Sequence, residues 1–419
     1  MYDDRVAVTL AEAERRLWSY LLPTAFETVP LQDAHGRILG EDVVASQDMP
    51  AFDRAAVDGF ALRAKDIREA SPDMPVALRV IGTVGAGDVL ERPLAPGEAL
   101  RIMTGAKIPD GADLVYMVEK TEAIEINGEH FIRITRPVEA GKDIARRGSD
   151  MARGSVLLPA GRRLLAGEMA VLATFGHAEV KVARLPRVGI AATGNEVVPA
   201  HLPLTDGKIH DSNSPMLWAL AAQIGIPARR YEVFPDRPDV LVRRIEQVLA
   251  DDELDVLITT GGVSVGDFDY MQNVYEALGA EVLFNRLAFR PGQPTTVARL
   301  GTKMLFGLAG NPGASYVGFH LLVRPYLLRS MGVKAEEARL PHAQATLAEA
   351  ITRPSTLPKY IRAELLVSGD RLLVRPAGSD RSSLVSTIYK SNALALLPAG
   401  EGLAEGSIVD VYYTDGPRR

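Results

Sequence analysis

Hydrophobic and polar positions alternate along the chain with a period that changes from region to region. Near the start, Leu10, Ala13 and Leu17 recur at the spacing of one helix face. Thr9 and Glu12 stand at the two positions of a capping box, in which both side chains bond backbone N–H groups at the beginning of a helix. The pattern therefore predicts an amphipathic helix at the start of the chain.

The period then changes to that of short strands. Between about residues 76 and 138, short apolar runs are separated by turns rich in Gly, Pro and Asp, which is typical of a small all-β domain. Helical spacing returns at about 164–175. We therefore predict a β domain over 54–141, inserted into a mixed N-terminal domain that consists of 1–53 and 142–183.

Residues 184–331 alternate short apolar strands with helices, the pattern of a parallel sheet covered by helices on both faces. The predicted strands have the sequences VGIAAT, RYEVF, DVLITT, EVLF, VARL and MLFGL. Ser214 and Pro215 predict the start of one helix, which Gly225 ends. A later helix is expected over about 313–330.

The segment 332–419 again shows strand-like runs separated by turns, which predicts a separate C-terminal β domain. The predicted fold class is therefore multidomain, with α/β and β domains. A length of 419 residues agrees with this, because domains average ~150 residues. The hydrophobic share of 47% and the charged share of 24% are typical of a folded protein with a sizeable core.

Charge and composition exclude several classes of function. A net charge of −6 provides no field that would attract a polyanion, so nucleic acid is not an expected partner. The absence of cysteine excludes disulfides, thiolate nucleophiles, zinc ribbons and protein-ligated iron–sulfur clusters. The sequence shows neither a signal peptide nor an apolar run of the ~18 residues that a membrane span needs, so we expect a cytoplasmic protein.

The segments that follow the predicted strands carry the candidate chemistry. Ligands of an open parallel sheet bind outside the carboxyl ends of its strands. Those segments are rich in Gly, acidic and hydroxyl residues, and they are TGNE at 193–196, PDR at 235–237, TTGGVSVGDFDY at 259–270 and AGNPGAS at 309–315. Backbone N–H groups there suit phosphate, and carboxylates suit a hard divalent cation.

Each of these features alone also has a structural explanation. A Gly-Gly pair serves a tight turn, Glu196 can be a helix N-terminal charge, and Asp267 or Asp269 can cap a helix. Their convergence favours a binding site. The seven histidines lack metal-binding spacing, and no histidine close in sequence to Ser264 or Ser315 supports a hydrolase triad.

Ordered motifs along nearly the whole chain are similar to those of one known family. They are DxxAVDGFAL, RIMTGAxIPDGAD, ARRGSD, TGNEV, GKIHDSN, TTGGVSVGDFDY, RPGQP and GNP. The chain resembles the molybdopterin molybdotransferases, the family of MoeA and the gephyrin E domain. The resemblance implies an elongated four-domain homodimer with shared active sites. Its third domain would be a MoaB/MogA-like molybdopterin-binding α/β domain, and its fourth would be β-barrel-like.

The resemblance also implies an activity, the last step of molybdenum cofactor synthesis. Adenylylated molybdopterin is cleaved with release of AMP, and molybdate enters the dithiolene with the help of Mg²⁺. The pterin supplies both sulfurs, which agrees with the absence of cysteine. The implied protein partners are an adenylyltransferase and a molybdoenzyme. Two alternatives stay open: a non-catalytic paralogue that binds molybdopterin or partner proteins as a chaperone or scaffold, and a tungstate-specific insertase.

Site residues follow from the same resemblance. The implied catalytic residues are Asp58, Thr104, Glu196, Asp236, Asp269, Arg286 and Arg290. The implied metal ligands are Glu196 and Asp269, and an alternative register puts Arg237 in place of Asp236. The residues expected to bind the cofactor substrate and molybdate are Thr193, Gly194, Asn195, Gly261, Gly262, Ser264, Gly310, Asn311, Pro312, Arg362 and Ser382.

The chain departs from the family pattern at several positions. Arg286 and Arg290 stand where the family commonly has lysines, which keeps the positive charge but changes the donor geometry. The usual PGNPVSA reads AGNPGAS, so Ala309 replaces a proline, Ala314 replaces a serine, and Ser315 is displaced by one position. The expected Gly-Arg before Arg362 is missing. These departures bear on oxyanion preference and on activity.

Overall fold

The computed structural model describes residues 6–262, 271–400 and 402–416. The described chain divides into two compact units. One unit holds the chain up to Glu41, Gly161–Ala166 and the chain from Glu179 onward, and the other holds Asp42–Ala160 and Gly167–Ala178. Each unit has its own hydrophobic clusters. This division is coarser than the four predicted domains, whose boundaries stay a prediction.

The chain begins with helix α1 (Leu10–Trp18) and strand β1 (Phe26–Pro30). The Thr9 hydroxyl accepts a hydrogen bond from the backbone N–H of Glu12 at 3.2 Å, as the capping pattern predicts. Apolar positions on one face of α1 are buried, and β1 pairs antiparallel with Glu179–Ala183. The predicted amphipathic helix is therefore confirmed.

The second unit contains the β-rich region. Its elements are β2 (Val43–Val44), β3 (Arg54–Ala55), β4 (Gly59–Leu62), β5 (Val76–Val84), β6 (Glu98–Ile102), β7 (Leu114–Met117), β8 (Glu122–Ile126), β9 (Glu129–Ile134), β10 (Ile144–Ala145), β11 (Val156–Leu158) and α2 (Ala166–Thr174). Six of these strands form one sheet in the order β7-β4-β6-β5-β9-β8. The all-β character predicted for this region is confirmed, as is a helix near 164–175.

The next region is built on a second six-stranded sheet. Its elements are β12 (Glu179–Ala183), β13 (Val188–Ala192), β14 (Val197–Val198), β15 (Ile209–His210), α3 (Asn213–Gln223), β16 (Ala228–Arg230), α4 (Pro238–Leu249), β17 (Val256–Thr260), α5 (Met271–Ala277), β18 (Glu281–Phe284), β19 (Thr296–Leu300), β20 (Lys303–Leu308), α6 (Pro312–Gly318), α7 (Arg324–Ser330) and α8 (Ala335–Ala338). The sheet order is β16-β13-β17-β20-β19-β18.

The predicted α/β architecture is confirmed, with an antiparallel addition at one edge. Strands β16, β13, β17 and β20 are parallel, whereas β19 and β18 run antiparallel to their neighbours. Strands β13, β17 and β20 are almost entirely buried, as expected for strands with helices on both faces. Their carboxyl ends lie side by side at one edge of the sheet, which places the loops that follow them together.

Three element predictions were wrong in detail. RYEVF is not a full strand: β16 ends at Arg230, and the chain beyond it bonds β13 only through separate contacts such as Phe234 N–H to the Ala192 carbonyl at 2.9 Å. Helix α3 begins at Asn213, two residues before Pro215, which was expected to be its first residue. The helix expected over 313–330 contains a π-helical turn, Phe319–Val323, between α6 and α7.

The C-terminal region forms a closed five-stranded barrel. Its elements are β21 (His342–Leu347), β22 (Lys359–Ser368), β23 (Arg371–Pro376), α9 (Ser386–Lys390), β24 (Ala393–Leu397) and β25 (Ile408–Tyr413). The strand order around the barrel is β21-β23-β22-β24-β25. Alternate side chains of these strands form its core, so the barrel-like expectation is confirmed. Among the described residues, no helix is both long and apolar enough to cross a membrane.

Candidate functional site

The loops after β13, β17 and β20 are joined at their first residues. The Thr193 N–H donates to the Thr260 carbonyl at 2.8 Å, and the Gly261 N–H donates to the Leu308 carbonyl at 3.1 Å. Gly194 N–H also reaches the Phe234 carbonyl at 3.1 Å, which brings the PDR segment to the same edge. The four segments that the sequence analysis selected therefore meet in one place.

Gly261 shows why this meeting point requires glycine. Its φ of +99° lies in the region that L side chains rarely adopt. A Cβ atom built there would lie 2.5 Å from the Thr193 carbonyl oxygen and 2.7 Å from the Thr193 hydroxyl oxygen. A side chain at this position would thus separate the loops after β13 and β17. The Gly-Gly pair therefore permits both a tight turn and the close approach of the loops after β13 and β17.

These loops surround a cleft of about 660 Å³. Its walls come from the strand-end loops, the start of α3 and one loop of the barrel, and are formed by Ala192, Thr193, Glu196, Val197, Ile209, His210, Asp211, Ser212, Asn213, Asp236, Thr260, Gly261, Gly262, Pro294, Ala309, Gly310, Asn311, Pro312, Ser383 and Val385. A cleft of this volume accommodates an extended small molecule.

Two carboxylates lie together in the cleft. Glu196 is exposed, whereas Asp236 is half-buried and its Oδ1 atom has no hydrogen-bond partner among the described residues. Burial raises the pKa of Asp236, and the nearby negative charge of Glu196 raises it further. The Asp236 backbone N–H donates to Oδ1 of Asn195 at 3.2 Å, which positions the PDR segment beside the TGNE loop. Asp236 is therefore a half-buried carboxylate for which the described residues provide no ion-pair partner.

Asn213, at the start of α3, holds another side of the cleft. Its Nδ2 donates to the Gly310 carbonyl at 2.8 Å, while its Oδ1 is buried without a partner among the described residues. The hydroxyl of Ser315 donates to the Ala309 carbonyl from a fully buried position. The displaced serine of AGNPGAS thus stabilises the turn into α6 from inside the protein.

The barrel contacts the same loop through Gly313. The Gly313 N–H donates to the Ser382 carbonyl at 2.8 Å. A Cβ atom on Gly313 would lie 2.6 Å from Nη1 of Arg362. Arg362 is only 3% exposed, and its guanidinium donates to Thr387 Oγ1 at 2.7 Å and to the Arg381 carbonyl at 2.9 Å. Burial lowers the pKa of this guanidinium.

The two arginines of the RLAFRPGQP segment do not line the described cleft, although Pro294 of this segment does. Arg286 is half-buried, and its carbonyl accepts a hydrogen bond from the Val8 N–H at 3.0 Å. Arg290 is exposed, and its N–H donates to the Pro358 carbonyl at 2.9 Å, which fastens the segment to the barrel. The structure thus shows backbone contacts at these positions.

Asp58 and Thr104 form a pair in the second compact unit. Oδ1 of Asp58 accepts hydrogen bonds from both the N–H and the hydroxyl of Thr104, each at 2.7 Å. These bonds, the hydroxyl bond first, hold the pKa of Asp58 below its usual range. The pair is therefore a preformed carboxylate and hydroxyl group on an exposed surface.

Comparison with known proteins decides the family. Residues 8–176 match the MoeA N-terminal region (domain I and II), 189–329 match the probable molybdopterin binding domain, and 344–413 match the MoeA C-terminal region (domain IV). The molybdopterin molybdenumtransferase of Bacillus subtilis is 43% identical over 412 residues, covering 98% of this chain and 95% of that protein. The chain belongs to the MoeA family.

Other members of the MoeA family support the same assignment. The molybdopterin molybdenumtransferase of Staphylococcus epidermidis is 39% identical, covering 99% of this chain and 97% of that protein. Two crystal structures of a molybdopterin biosynthesis MoeA protein from Pyrococcus horikoshii superpose with TM-scores of 0.83 and 0.81, at 33% and 30% identity. They cover 98% and 97% of this chain and all of theirs. The family resemblance is confirmed, and so is the expected multidomain fold with a MoaB/MogA-like α/β domain.

Not all predicted site residues of this MoeA family chain can be placed. Asp269 and Ser264 lie in the segment 263–270, outside the described residues. Over residues 6–262, 271–400 and 402–416, no group of three His, Asp or Glu side chains is arranged to hold a metal ion. The other predicted site residues of the α/β region line the cleft, apart from Gly194, Asn195 and the two arginines.

Sequence reasoning missed several residues of the cleft wall, three of which bear on binding. Asn213 ends the GKIHDSN motif, which served only as a mark of resemblance, although its amide side chain is suited to binding. Ser383 and Val385 line the cleft from the barrel, next to the predicted Ser382. For Asn213 the motif itself was a usable signal. For the barrel residues, only tertiary packing shows which side of the loop faces the cleft.

Proposed function

We propose that this protein is a molybdopterin molybdenumtransferase, which inserts molybdate into adenylylated molybdopterin with release of AMP. The single observation that carries the proposal is the pair of carboxylates, Glu196 and Asp236, in a cleft formed by strand-end loops. Family membership supports it, because the curated relatives bear the name of that enzyme. The protein thus acts as a transferase in molybdenum cofactor biosynthesis.

The residues of the cleft fit a divalent cation. Oδ1 of Asp236 is buried and unpartnered, and the neighbouring Glu196 raises its pKa, so a cation between them would remove an unfavourable interaction. Carboxylate oxygens are the ligands that Mg²⁺ prefers. Glu196 and Asp236 would hold it, together with Asp269, and when bound it screens the charge of a pyrophosphate. The sequence assigned Asp236 to catalysis, and we extend its role to the metal.

Other residues of the cleft orient the substrate. Asn213 offers a buried acceptor, Oδ1, to an N–H group of the pterin, while its Nδ2 holds the Gly310 carbonyl. Glycines at 261, 262 and 310 allow close approach of the backbone to the ligand. Ser383 brings a hydroxyl from the barrel. Together these groups fix the pyrophosphate beside the two carboxylates.

Arg362 and Ser382 remain our proposed determinants of molybdate binding. Nη2 and Nε of Arg362 are engaged by the barrel, so the side chain positions the turn into α6 in addition to any direct contact through Nη1. Arg286 and Arg290 would supply positive charge, the role that the family resemblance implies for them. A guanidinium held in this way is rigid, which favours recognition of a tetrahedral dianion.

We further propose that the protein acts as a homodimer with active sites shared between its subunits, and that it binds two other enzymes. In the first unit, Leu202, Leu204 and Trp218 are 44–52% exposed, and such apolar surface suits a second copy. Asp58 and Thr104 would complete a site of the partner. The enzyme that adenylylates molybdopterin and the molybdoenzyme that receives the cofactor are the expected protein partners. A cytoplasmic location agrees with these roles.

Release of AMP tests the proposal directly. The purified protein is mixed with adenylylated molybdopterin, Mg²⁺ and molybdate, and AMP is measured over time. We expect release to need both Mg²⁺ and the oxyanion. Substrate binding without AMP release would overturn the enzymatic proposal in favour of a scaffold. Replacing molybdate by tungstate in parallel decides which oxyanion the protein prefers.

A further inference from the structure

A second cleft, of about 530 Å³, lies in the first compact unit and shares no lining residue with the proposed active site. Its walls come from helix α3, the π-helical turn with α7, and the end of β25, and are formed by Arg163, Leu220, Gln223, Ile224, Phe319, His320, Arg324, Leu340, Pro341, Tyr413, Thr414, Asp415 and Gly416. None of these residues has a role in the proposed activity.

Two arginines face this cleft without a counter-ion. Arg163 is exposed, and Arg324 is half-buried with its Nη1 donating to the Ala338 carbonyl. Burial, together with the positive charge of Arg163, lowers the pKa of Arg324 to about 10. Among the described residues, no carboxylate forms an ion pair with either side chain, although the exposed Asp415 also lines the cleft. Two neighbouring cations of this kind attract an anion.

His320 adds an unsatisfied polar group. It is 4% exposed, and neither ring nitrogen has a hydrogen-bond partner in the described part of the chain. Burial lowers its pKa to about 3, so the ring is neutral and keeps one N–H donor. His320 belongs to the π-helical turn, and its ring stands edge-on to the Tyr316 ring, with 4.5 Å between the ring centroids. Turns of this type often occur at functional sites.

The remaining wall of the cleft is apolar. Leu220, Ile224 and Leu340 are each less than 10% exposed, and the ring of Tyr413 is half-buried beside them. An inorganic anion alone would leave this wall in contact with water. A ligand that carries its anionic group on an apolar body would bury both parts.

We propose that this cleft binds a small-molecule oxyanion, a phosphate or carboxylate attached to an apolar body. Arg163 and Arg324 bind the anionic group, and His320 donates its N–H to the same ligand. The apolar wall contacts the body. Because the cleft and the proposed active site have no residue in common, this inference does not depend on the molybdenum chemistry.

Calorimetric titration of the full-length protein with phenyl phosphate, benzoate and inorganic phosphate tests the proposal. We expect phenyl phosphate or benzoate to bind several-fold more tightly than inorganic phosphate, and their ranking identifies the anionic group. Arg163→Ala should weaken binding at least ~10-fold, since it removes a charge-assisted contact. Arg163→Lys should bind with intermediate affinity, because it keeps the charge but loses the planar fork.

The neighbouring Arg162→Ala is the matched control, because it removes the same charge one residue away and its side chain does not line the cleft. It should keep the affinity of the unchanged protein. Unchanged affinity of Arg163→Ala, or no binding of any of the three probes at millimolar concentration, would overturn the proposal. Equal affinity for phenyl phosphate and inorganic phosphate would overturn the claim that the apolar wall contacts the body of the ligand. If Arg163→Ala fails to fold, the affinities of Arg163→Lys and Arg162→Lys are compared instead, and equal affinities would overturn the proposal.

Discussion

At the scale of single residues, Asp236 carries a conflict between stability and binding. Its carboxylate is half-buried, its Oδ1 lacks a partner among the described residues, and Glu196 is a like charge nearby. Such a group destabilises the folded protein when it is ionised. Residues of this kind cluster at functional sites, where a ligand supplies the missing interaction.

Asp236→Asn should therefore stabilise the protein in the absence of Mg²⁺. The folded state raises the pKa of Asp236, so the folded state binds more protons than the unfolded one. Stability is consequently lost as pH rises from the ordinary range of a carboxyl through the raised pKa, and the asparagine removes this loss. Thermal unfolding at pH 7 should show a melting temperature higher by roughly 1–3 °C.

The variant should also lose most of the stabilisation that Mg²⁺ gives to the unchanged protein. Asp206→Asn, the same substitution in an exposed loop, is the control and should alter neither quantity. A lower melting temperature of Asp236→Asn without Mg²⁺ would contradict our account of Asp236.

Glu196→Gln should reduce AMP release at least ~100-fold with little change in melting temperature. The side chain is exposed, so its charge contributes to the ligand site and not to the core. The rate is measured at saturating adenylylated molybdopterin. Glu246→Gln, on the exposed side of α4, should release AMP at the normal rate. Normal turnover of Glu196→Gln would remove Glu196 from the site.

At the scale of elements, the contact between α6 and β22 joins the barrel to the cleft. Gly313 is the second residue of α6, and Arg362 of β22 lies directly against its Cα. An added Cβ would also lie 2.9 Å from the Ser382 carbonyl oxygen, the group that the Gly313 N–H binds. The barrel loop and the turn into α6 can therefore approach only because residue 313 has no side chain.

Gly313→Ala should lower the free energy of unfolding by about 1–3 kcal/mol, because overpacking shifts Arg362 and the barrel loop. Gly167→Ala is the matched control: Gly167 is the second residue of α2, and a Cβ there would meet no atom within 4 Å. That substitution should be neutral or stabilising. Urea unfolding measures both, and equal stabilities of the two variants would contradict the packing argument.

The sequence could predict elements whose pattern is local. Periodicity predicted α1, the β-rich region and the buried parallel strands, and strand parallelism alone predicted that Glu196, Asp236 and Gly261 would meet. The helix over 313–330 is confirmed except for its π-helical turn, which precedes Pro325, a residue that has no N–H and whose ring crowds the preceding turn. That proline was visible in the sequence.

Long-range packing could not be predicted from the sequence. Nothing near Asn213 in the chain indicates that its amide reaches the Gly310 carbonyl, 97 residues away. Nothing in the sequence indicates that Arg362 is buried, yet it is only 3% exposed. RYEVF has the composition of a strand, but the chain leaves regular pairing with β13 after Arg230. In each case a partner distant in sequence decides the outcome.

At the scale of the whole molecule, the residues that we propose for catalysis are divided between the two compact units. Glu196 and Asp236 belong to one unit, whereas Asp58 and Thr104 belong to the other, where two hydrogen bonds already fix their geometry. In a two-fold dimer the same contact occurs twice, so sites shared between subunits would also occur twice.

Subunit exchange tests whether the sites are shared. Asp58→Ala and Glu196→Ala proteins should each be inactive alone and should regain up to about a quarter of normal AMP release after mixing. Random exchange yields about half mixed dimers, in each of which one of the two sites carries both defects and the other is intact. Mass spectrometry confirms the exchange. Mixed dimers without recovered activity would show that Asp58 acts within its own chain or not at all.

The absence of a side chain at Gly313 also has a consequence for the evolution of this protein. Gly313 stands where the family commonly has valine, and Arg362 occupies the space that a side chain there would need. A larger residue at 313 would therefore require the guanidinium of Arg362 and the Ser382 carbonyl to lie farther from α6 than they do in this structure. We expect the loss of the side chain at 313 and the present position of the Arg362 guanidinium to have arisen together, because either change alone would leave a void or a clash at this contact.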